Sequence, residues 1–182
     1  DIDADGVPDL AVGVIGDDDG GTERGAVYVF RLNADGSLKG TTKISQTSGG
    51  FTGTLDDFDQ FGSAVVGIPD LNNDGRDDLA IGDPELDFTI SGNFYQDGGA
   101  IHALYGSSAG PPGWFDLART EFLHQGNLYG PTATQHYDWF GHALAAGDWN
   151  GDGRDDLAVG HPGEDLGGQD RGGVTILTGD PV

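Results

Sequence analysis

Three stretches of this chain align with one another without gaps: DIDADGVPDLAVG (Asp1–Gly13), DLNNDGRDDLAIG (Asp70–Gly82) and DWNGDGRDDLAVG (Asp148–Gly160). A second element follows each copy: GAVYVF from Gly25, GAIHALYG from Gly99 and GVTILTG from Gly173. A third precedes the later two, FGSAVVG from Phe61 and FGHALAAG from Phe140. Elements recurring in one order cannot arise by chance, and a chain so built folds as stacked copies of one supersecondary unit. The acidic stretches lie 69 and 78 residues apart and the Gly-Ala/Val elements 74 and 74, so the connecting loops absorb the variation.

Each element reads as a strand. Leu10–Gly13, Leu79–Gly82 and Leu157–Gly160 are short apolar runs bounded by Gly and Asp, as in strands covered on both faces. Val27–Leu32 and Ala100–Tyr105 are aromatic and β-branched. Lys43–Gln46 and Glu121–Gln125 are more polar, as at a sheet's outer edge. The order is strand A (Phe-Gly), acidic loop, strand B, long loop, strand C (Gly-Ala), strand D. Four-stranded antiparallel sheets repeated in this way make an all-β protein of propeller blades.

The acidic loops point to a hard cation. In the loop at Asp70, side-chain oxygens stand at positions 1, 3, 5 and 9 (Asp70, Asn72, Asp74, Asp78), with Gly75 at position 6. Calcium takes roughly six to eight oxygen ligands. Alternate residues of a tight turn converge on one point, and Gly at position 6 permits the positive φ that presents the carbonyl of position 7, Arg76. The same roles fall to Asp1, Asp3, Asp5, Val7 (carbonyl) and Asp9, and to Asp148, Asn150, Asp152, Arg154 (carbonyl) and Asp156. Three Ca²⁺ sites are expected. An EF-hand is excluded, because its position 12 needs a bidentate Glu and here it is Val12, Ile81 or Val159. Ordinary Asp/Asn/Gly turns would not repeat one ligand spacing three times.

Composition closes off other classes. With 31 acidic against 8 basic side chains, the formal charge of -23 opposes nucleic acid, which needs a Lys/Arg surface, and anionic lipid. No apolar run approaches the roughly 20 residues of a membrane span, so no membrane insertion is expected. The absence of Cys excludes disulfides and thiolate metal sites. Gly106–Gly110 matches G-x-S-x-G, but Pro111 and Pro112 follow where a hydrolase needs a helix. The five His show no metal spacing, and the clusters Asp17–Asp19 and Asp56, Asp57, Asp59 read as solvated loops. Trp149 reads as packing at position 2, like Ile2 and Leu71, and Phe61 and Phe140 as core. Trp114, Tyr129, Tyr137 and Trp139, in or near loops, are freer to bind a ligand such as a glycan.

The Phe-Gly strand, the D-x-[DN]-x-D-G-x-x-D-L-A-[VI]-G loop and the Gly-Ala strand together resemble the FG-GAP repeats of integrin α-subunit propellers, and more closely the integrin-like repeat proteins of bacteria. GDDDGGTERGAVYVF, KISQTSGGFTGTLDDFDQFGSAV and GHPGEDLGG resemble the bacterial versions. The resemblance covers essentially the whole chain. It implies a β-propeller with Ca²⁺ in the A–B loops of a secreted or cell-surface protein, bacterial in type. The expected function is non-catalytic adhesion or recognition of protein or glycan; the alternative is an ancillary or glycan-binding module of a secreted hydrolase. The chain departs from the pattern after strand B, where Gly-Ala-Pro appears only as Gly13-Val14, Gly82-Asp83-Pro84 and Gly160-His161-Pro162. Phe61 also stands 9 residues before its loop and Phe140 only 8, which predicts a bulge near Pro69.

The expected count is about ten strands, roughly two and a half blades: residues 1–50 incomplete, 51–128 complete, 129–182 incomplete. Strands BCD and ABC cannot combine into one sheet. The expectation is an excerpt of a larger propeller, or copies whose self-association covers the open blade faces.

Overall fold

The computed structural model describes residues 1–71, 74–108, 115–116, 121–130, 134–165 and 171–179. Three antiparallel sheets correspond to the three units. The first orders β1 (Leu10–Val14), β2 (Ala26–Leu32) and β3 (Leu38–Ser45) as β1-β2-β3. The second contains β4 (Val65–Ile68), β5 (Asp78–Asp83), β8 (Ala100–Leu104) and β9 (Glu121–Leu123), in the order β4-β5-β8-β9. The third is β10 (Ala143–Gly147), β11 (Asp156–His161) and β12 (Gly173–Leu177). These ten strands in sheets of three, four and three are partial β-propeller blades of the BCD, ABCD, ABC kind. No described helix is long and apolar enough to cross a membrane.

Two elements are additional. The long B–C loop of the second unit folds into a hairpin of β6 (Phe88–Ile90) and β7 (Asn93–Tyr95), and the helix α1 (Gln125–Tyr129) follows β9. Strand D of the second unit therefore stops at Leu123 rather than Gln125, while that of the first begins at Leu38, five residues before the expected start at Lys43. Neither signal was periodic enough to read from residues alone.

Register corrects two further expectations. The β4–β5 ladder runs unbroken from Val65↔Ile81 to Ile68↔Asp78, matching Leu144↔Val159 to Gly147↔Asp156 in the β10–β11 ladder. The extra residue, Pro69, is thus no bulge. It sits between strand and loop, where Asp70 takes φ +29°. In strand C, Phe30, Leu104 and Leu177 are the equivalent residues, opposite Leu10, Leu79 and Leu157. Counting back five residues places Gly172, not Gly173, with Gly25 and Gly99, and all three have positive φ (68°, 86° and 71°).

The repeat motif works by locking one unit into the next. Phe61 and Phe140 are fully buried. Their N–H groups bond back to the preceding unit, at Arg24 O (3.0 Å) and Gly98 O (3.2 Å). The glycine after each Phe meets the glycine that ends the preceding strand-B motif. A Cβ on Gly13 would lie 1.8 Å from Gly62 O, and one on Gly82 would lie 2.1 Å from Gly141 O. Around these contacts form two apolar clusters. One joins Val27, Val29 and Ile44 of the first unit to Phe61, Leu79, Ile81 and Leu104 of the second. The other joins Ile68, Ala80 and Ile101 to Phe140, Leu157 and Val159 of the third.

Candidate functional site

The three acidic loops close with one hydrogen-bond pattern. The position-1 carboxylate accepts the N–H groups of positions 5 and 6: Asp1 from Asp5 (3.1 Å) and Gly6 (2.7 Å), Asp70 from Asp74 (2.6 Å) and Gly75 (2.9 Å), Asp148 from Asp152 (3.1 Å) and Gly153 (2.9 Å). The glycines at position 6 take φ of 86°, 86° and 88°, the conformation that turns the chain back. The position-5 carboxylate accepts the N–H of position 7: Asp5 from Val7 (2.9 Å), Asp74 from Arg76 (3.1 Å), Asp152 from Arg154 (2.9 Å).

Position 9 ties the loop to the sheet. Asp9, Asp78 and Asp156 accept the N–H of position 2, from Ile2 (3.0 Å), Leu71 (2.7 Å) and Trp149 (3.1 Å). With the other oxygen they accept the N–H two residues beyond Phe30, Leu104 and Leu177, from Leu32 (3.0 Å), Gly106 (2.7 Å) and Gly179 (3.1 Å). Asp78 and Asp156 are 1 % exposed. Burial pushes the Asp78 carboxyl up to about 6, the two backbone N–H groups hold it down, and Asp74 and Asp70 add to the rise.

The donor set fits a hard divalent ion. In the first loop one carboxylate oxygen from each of Asp1, Asp3 and Asp9 lies within 4.8 Å of the others. The Asp3 side chain is only 2 % exposed, and its Oδ1 has no hydrogen-bond partner. An oxygen removed from water without a donor is costly unless a cation meets it. Nitrogen donors already gather at these centres: Lys39 Nζ lies 2.7 Å from Asp3 Oδ2 and also contacts Asp5, and the Asn150 amide bridges Asp152 (2.9 Å) and Asp156 (3.3 Å). The Asp3 and Asp5 carboxylates hold the Lys39 ammonium above its usual range. Asn72 lies outside the described residues. The loops are also linked, since Arg76 Nη1 donates to Ile2 O of the preceding loop (3.2 Å).

Trp149 is 52 % exposed rather than packed, whereas Ile2 is 4 % exposed. Ile2 and Leu71 pack into the clusters formed with the next unit, and the third unit has no described unit on that face. Tyr129 and Tyr137 are exposed, Trp139 is half-buried, and Trp114 lies outside the described residues.

Asp59 is not a solvated loop residue: it is 2 % exposed, and Asp138 is fully buried. Each stands two residues before the Phe-Gly, in DQFG and DWFG, and caps its corner by accepting an N–H three residues upstream, from Asp56 or Gln135 (both 2.6 Å). The flanking residues have matching positive φ: Phe58 75° and Gln60 62°, against Tyr137 65° and Trp139 52°. Burial raises Asp59 to about 8, with Asp83 adding, and Asp138 to about 6. The D-x-F-G shared by the two copies is the sequence signal that sets them apart.

Comparison with known proteins agrees with this geometry. The FG-GAP repeat family model matches residues 61–104 and 140–177, which are the spans from Phe-Gly through strand C. The chain is 30 % identical to phosphatidylinositol-glycan-specific phospholipase D of Rattus norvegicus over 100 % of its own length and 20 % of that protein's. It is 28 % identical to integrin alpha pat-2 of Caenorhabditis elegans over 98 % of this chain and 13 % of that one. With integrin alpha-3 of Cricetulus griseus it shares 32 % over 79 % of this chain and 11 % of that one. The chain therefore spans a fifth or less of these relatives. Repeats, blade sheets and matches converge: the chain belongs to the FG-GAP, integrin α-like repeat family.

Proposed function

We propose that the chain is a calcium-loaded, non-catalytic propeller segment that serves adhesion or recognition outside the cell. The observation that carries this reading is the identical hydrogen-bonded closure of three loops whose oxygens the sequence places at one spacing. Asp1, Asp3, Asp5, Asp9 and the Val7 carbonyl would hold one ion. Asp70, Asn72, Asp74, Asp78 and the Arg76 carbonyl would hold the second, and Asp148, Asn150, Asp152, Asp156 and the Arg154 carbonyl the third. The ion would supply positive charge to a buried carboxylate cluster and stabilise the fold by mass action, because only the closed loop binds well. Extracellular modules bind calcium at roughly 10⁻⁴–10⁻³ M, matched to the calcium outside cells.

The proposed division is into units 1–50, 51–128 and 129–182. The outer face of the first sheet, where Leu10, Val12 and Val14 are 51 %, 38 % and 38 % exposed, is proposed to receive a further blade or a second copy. The match to a phospholipase D supports the alternative of an ancillary module in a hydrolase.

Calcium titration calorimetry tests the main reading. Three equivalents are expected, Asp152→Ala should bind two, and EDTA should lower the melting temperature by several degrees. Three equivalents remaining in Asp152→Ala would remove the ligand assignment.

A further inference from the structure

The second unit departs from its neighbours at one place. From the last glycine of strand B to the first of strand C it runs 17 residues, against 12 in each of the other two units. The extra length forms the β6–β7 hairpin, which carries Phe88 over the outer strands of its own sheet. There Phe88 stands edge-to-face with Phe122 of β9 (centroids 6.5 Å, planes at 82°). His124 stacks behind Phe88 at 4.4 Å, and His102 of β8 lies 5.4 Å from Phe122. Phe88, His102 and Phe122 line a half-open cavity of about 300 Å³ together with Thr52, Gly53, Thr54, Leu86 and Asp87.

We propose that this aromatic corner takes the cationic end of a lysine or arginine side chain presented by a protein partner. Three features select that occupant. Phe88 and Phe122 both line the cavity, and an aromatic ring attracts a cation placed over its face. Asp87 puts a carboxylate on the lip; its Oδ1 accepts the Asp97 N–H (2.8 Å), which fixes the group in place. Among the described residues no Lys or Arg lines the cavity, and the chain as a whole carries a charge of -23. The volume is at the low end of small-molecule sites, which suits one side-chain terminus. A neutral aliphatic chain would touch the same walls but gain nothing from Asp87, and an anion would be repelled. The buried His102, whose Nε2 is 3.0 Å from Asp83 Oδ2, is held neutral by its surroundings and adds no opposing charge.

The test uses the whole ¹⁵N-labelled chain in saturating calcium, so that the acidic loops do not compete for the probe. Acetylated, amidated Gly-Lys-Gly and Gly-norleucine-Gly peptides are titrated separately, and the amide shifts of Phe88, His102 and Phe122 are followed. The lysine peptide should give saturable shifts at these residues, at least about fivefold tighter than norleucine. Asp87→Asn, which keeps an acceptor for the Asp97 N–H, should abolish that preference. Phe122→Leu, on the half-exposed rim, should weaken lysine binding without losing the fold. Equal binding of the two peptides, or lysine shifts confined to the acidic loops, would overturn the proposal.

Discussion

Asp59 and Asp138 occupy a position where a carboxyl is worth more to the fold protonated than ionised. Each is sealed at the corner between two units and receives one backbone N–H, too little to offset the desolvation of a charge. Asp59, raised to about 8, binds a proton in the fold that the unfolded chain has released above pH 4. Its contribution is complete below about pH 4 and fades as the pH climbs through 8. Asp138 follows the same course, ending near 6. The Asp59→Asn variant keeps the acceptor and cannot ionise. Relative to the parent, its stability in urea unfolding should therefore improve progressively between pH 4 and pH 8, by roughly 1.4 kcal/mol per pH unit at most. A difference that stays constant with pH would show that Asp59 is ionised in the fold. The sequence placed this residue in a run of three aspartates, where charge density suggested solvent. Its burial is visible only once the two D-x-F-G corners are set side by side.

At the scale of the element, the glycines of the strand-B motif show how much a repeat conveys and where it stops. That Gly13, Gly82 and Gly160 recur was evident from alignment; why they are glycine is a distance between units. A methyl group on Gly82 would lie 2.1 Å from a backbone oxygen of the next unit, which cannot yield without separating the two sheets. On Gly160 the nearest atom is Ala143 Cβ at 3.3 Å, within its own sheet. Gly82→Ala should cost about 3 kcal/mol through overpacking, whereas Gly160→Ala should stay within about 1 kcal/mol, since it also restricts the unfolded chain. Equal costs would mean that another unit or a second copy covers the outer face of the third sheet in solution. The same logic explains Trp149. Its place in the repeat equals that of Ile2 and Leu71, but packing at that position is provided by the following unit. The β6–β7 hairpin had no counterpart in the other copies, so the repeat gave no reason to expect it. The loops themselves were legible, because a ligand spacing is a property of consecutive residues.

For the whole molecule the governing quantity is charge. A surplus of 23 negative charges on 182 residues acts against compaction, and twelve of the acidic groups crowd into the three loops. Lys39 pairs with two of them and Lys43 with Asp17 and Asp19, but only 8 basic residues are present. Small ions must therefore do the rest, in one of two ways. Monovalent salt screens all the charges weakly: the Debye length falls from about 30 Å at 0.01 M to about 10 Å at 0.1 M. Three bound divalent ions would neutralise the densest part directly and bring the formal charge to -17. The two routes overlap, since screening has least left to relieve once the loops are filled. In EDTA the melting temperature should rise by several degrees as NaCl goes from about 0.01 to about 0.5 M. In millimolar calcium it should start higher and rise by less than half as much. A salt slope unchanged by calcium would place the repulsion elsewhere on the surface, and the acidic loops would then be bystanders to stability.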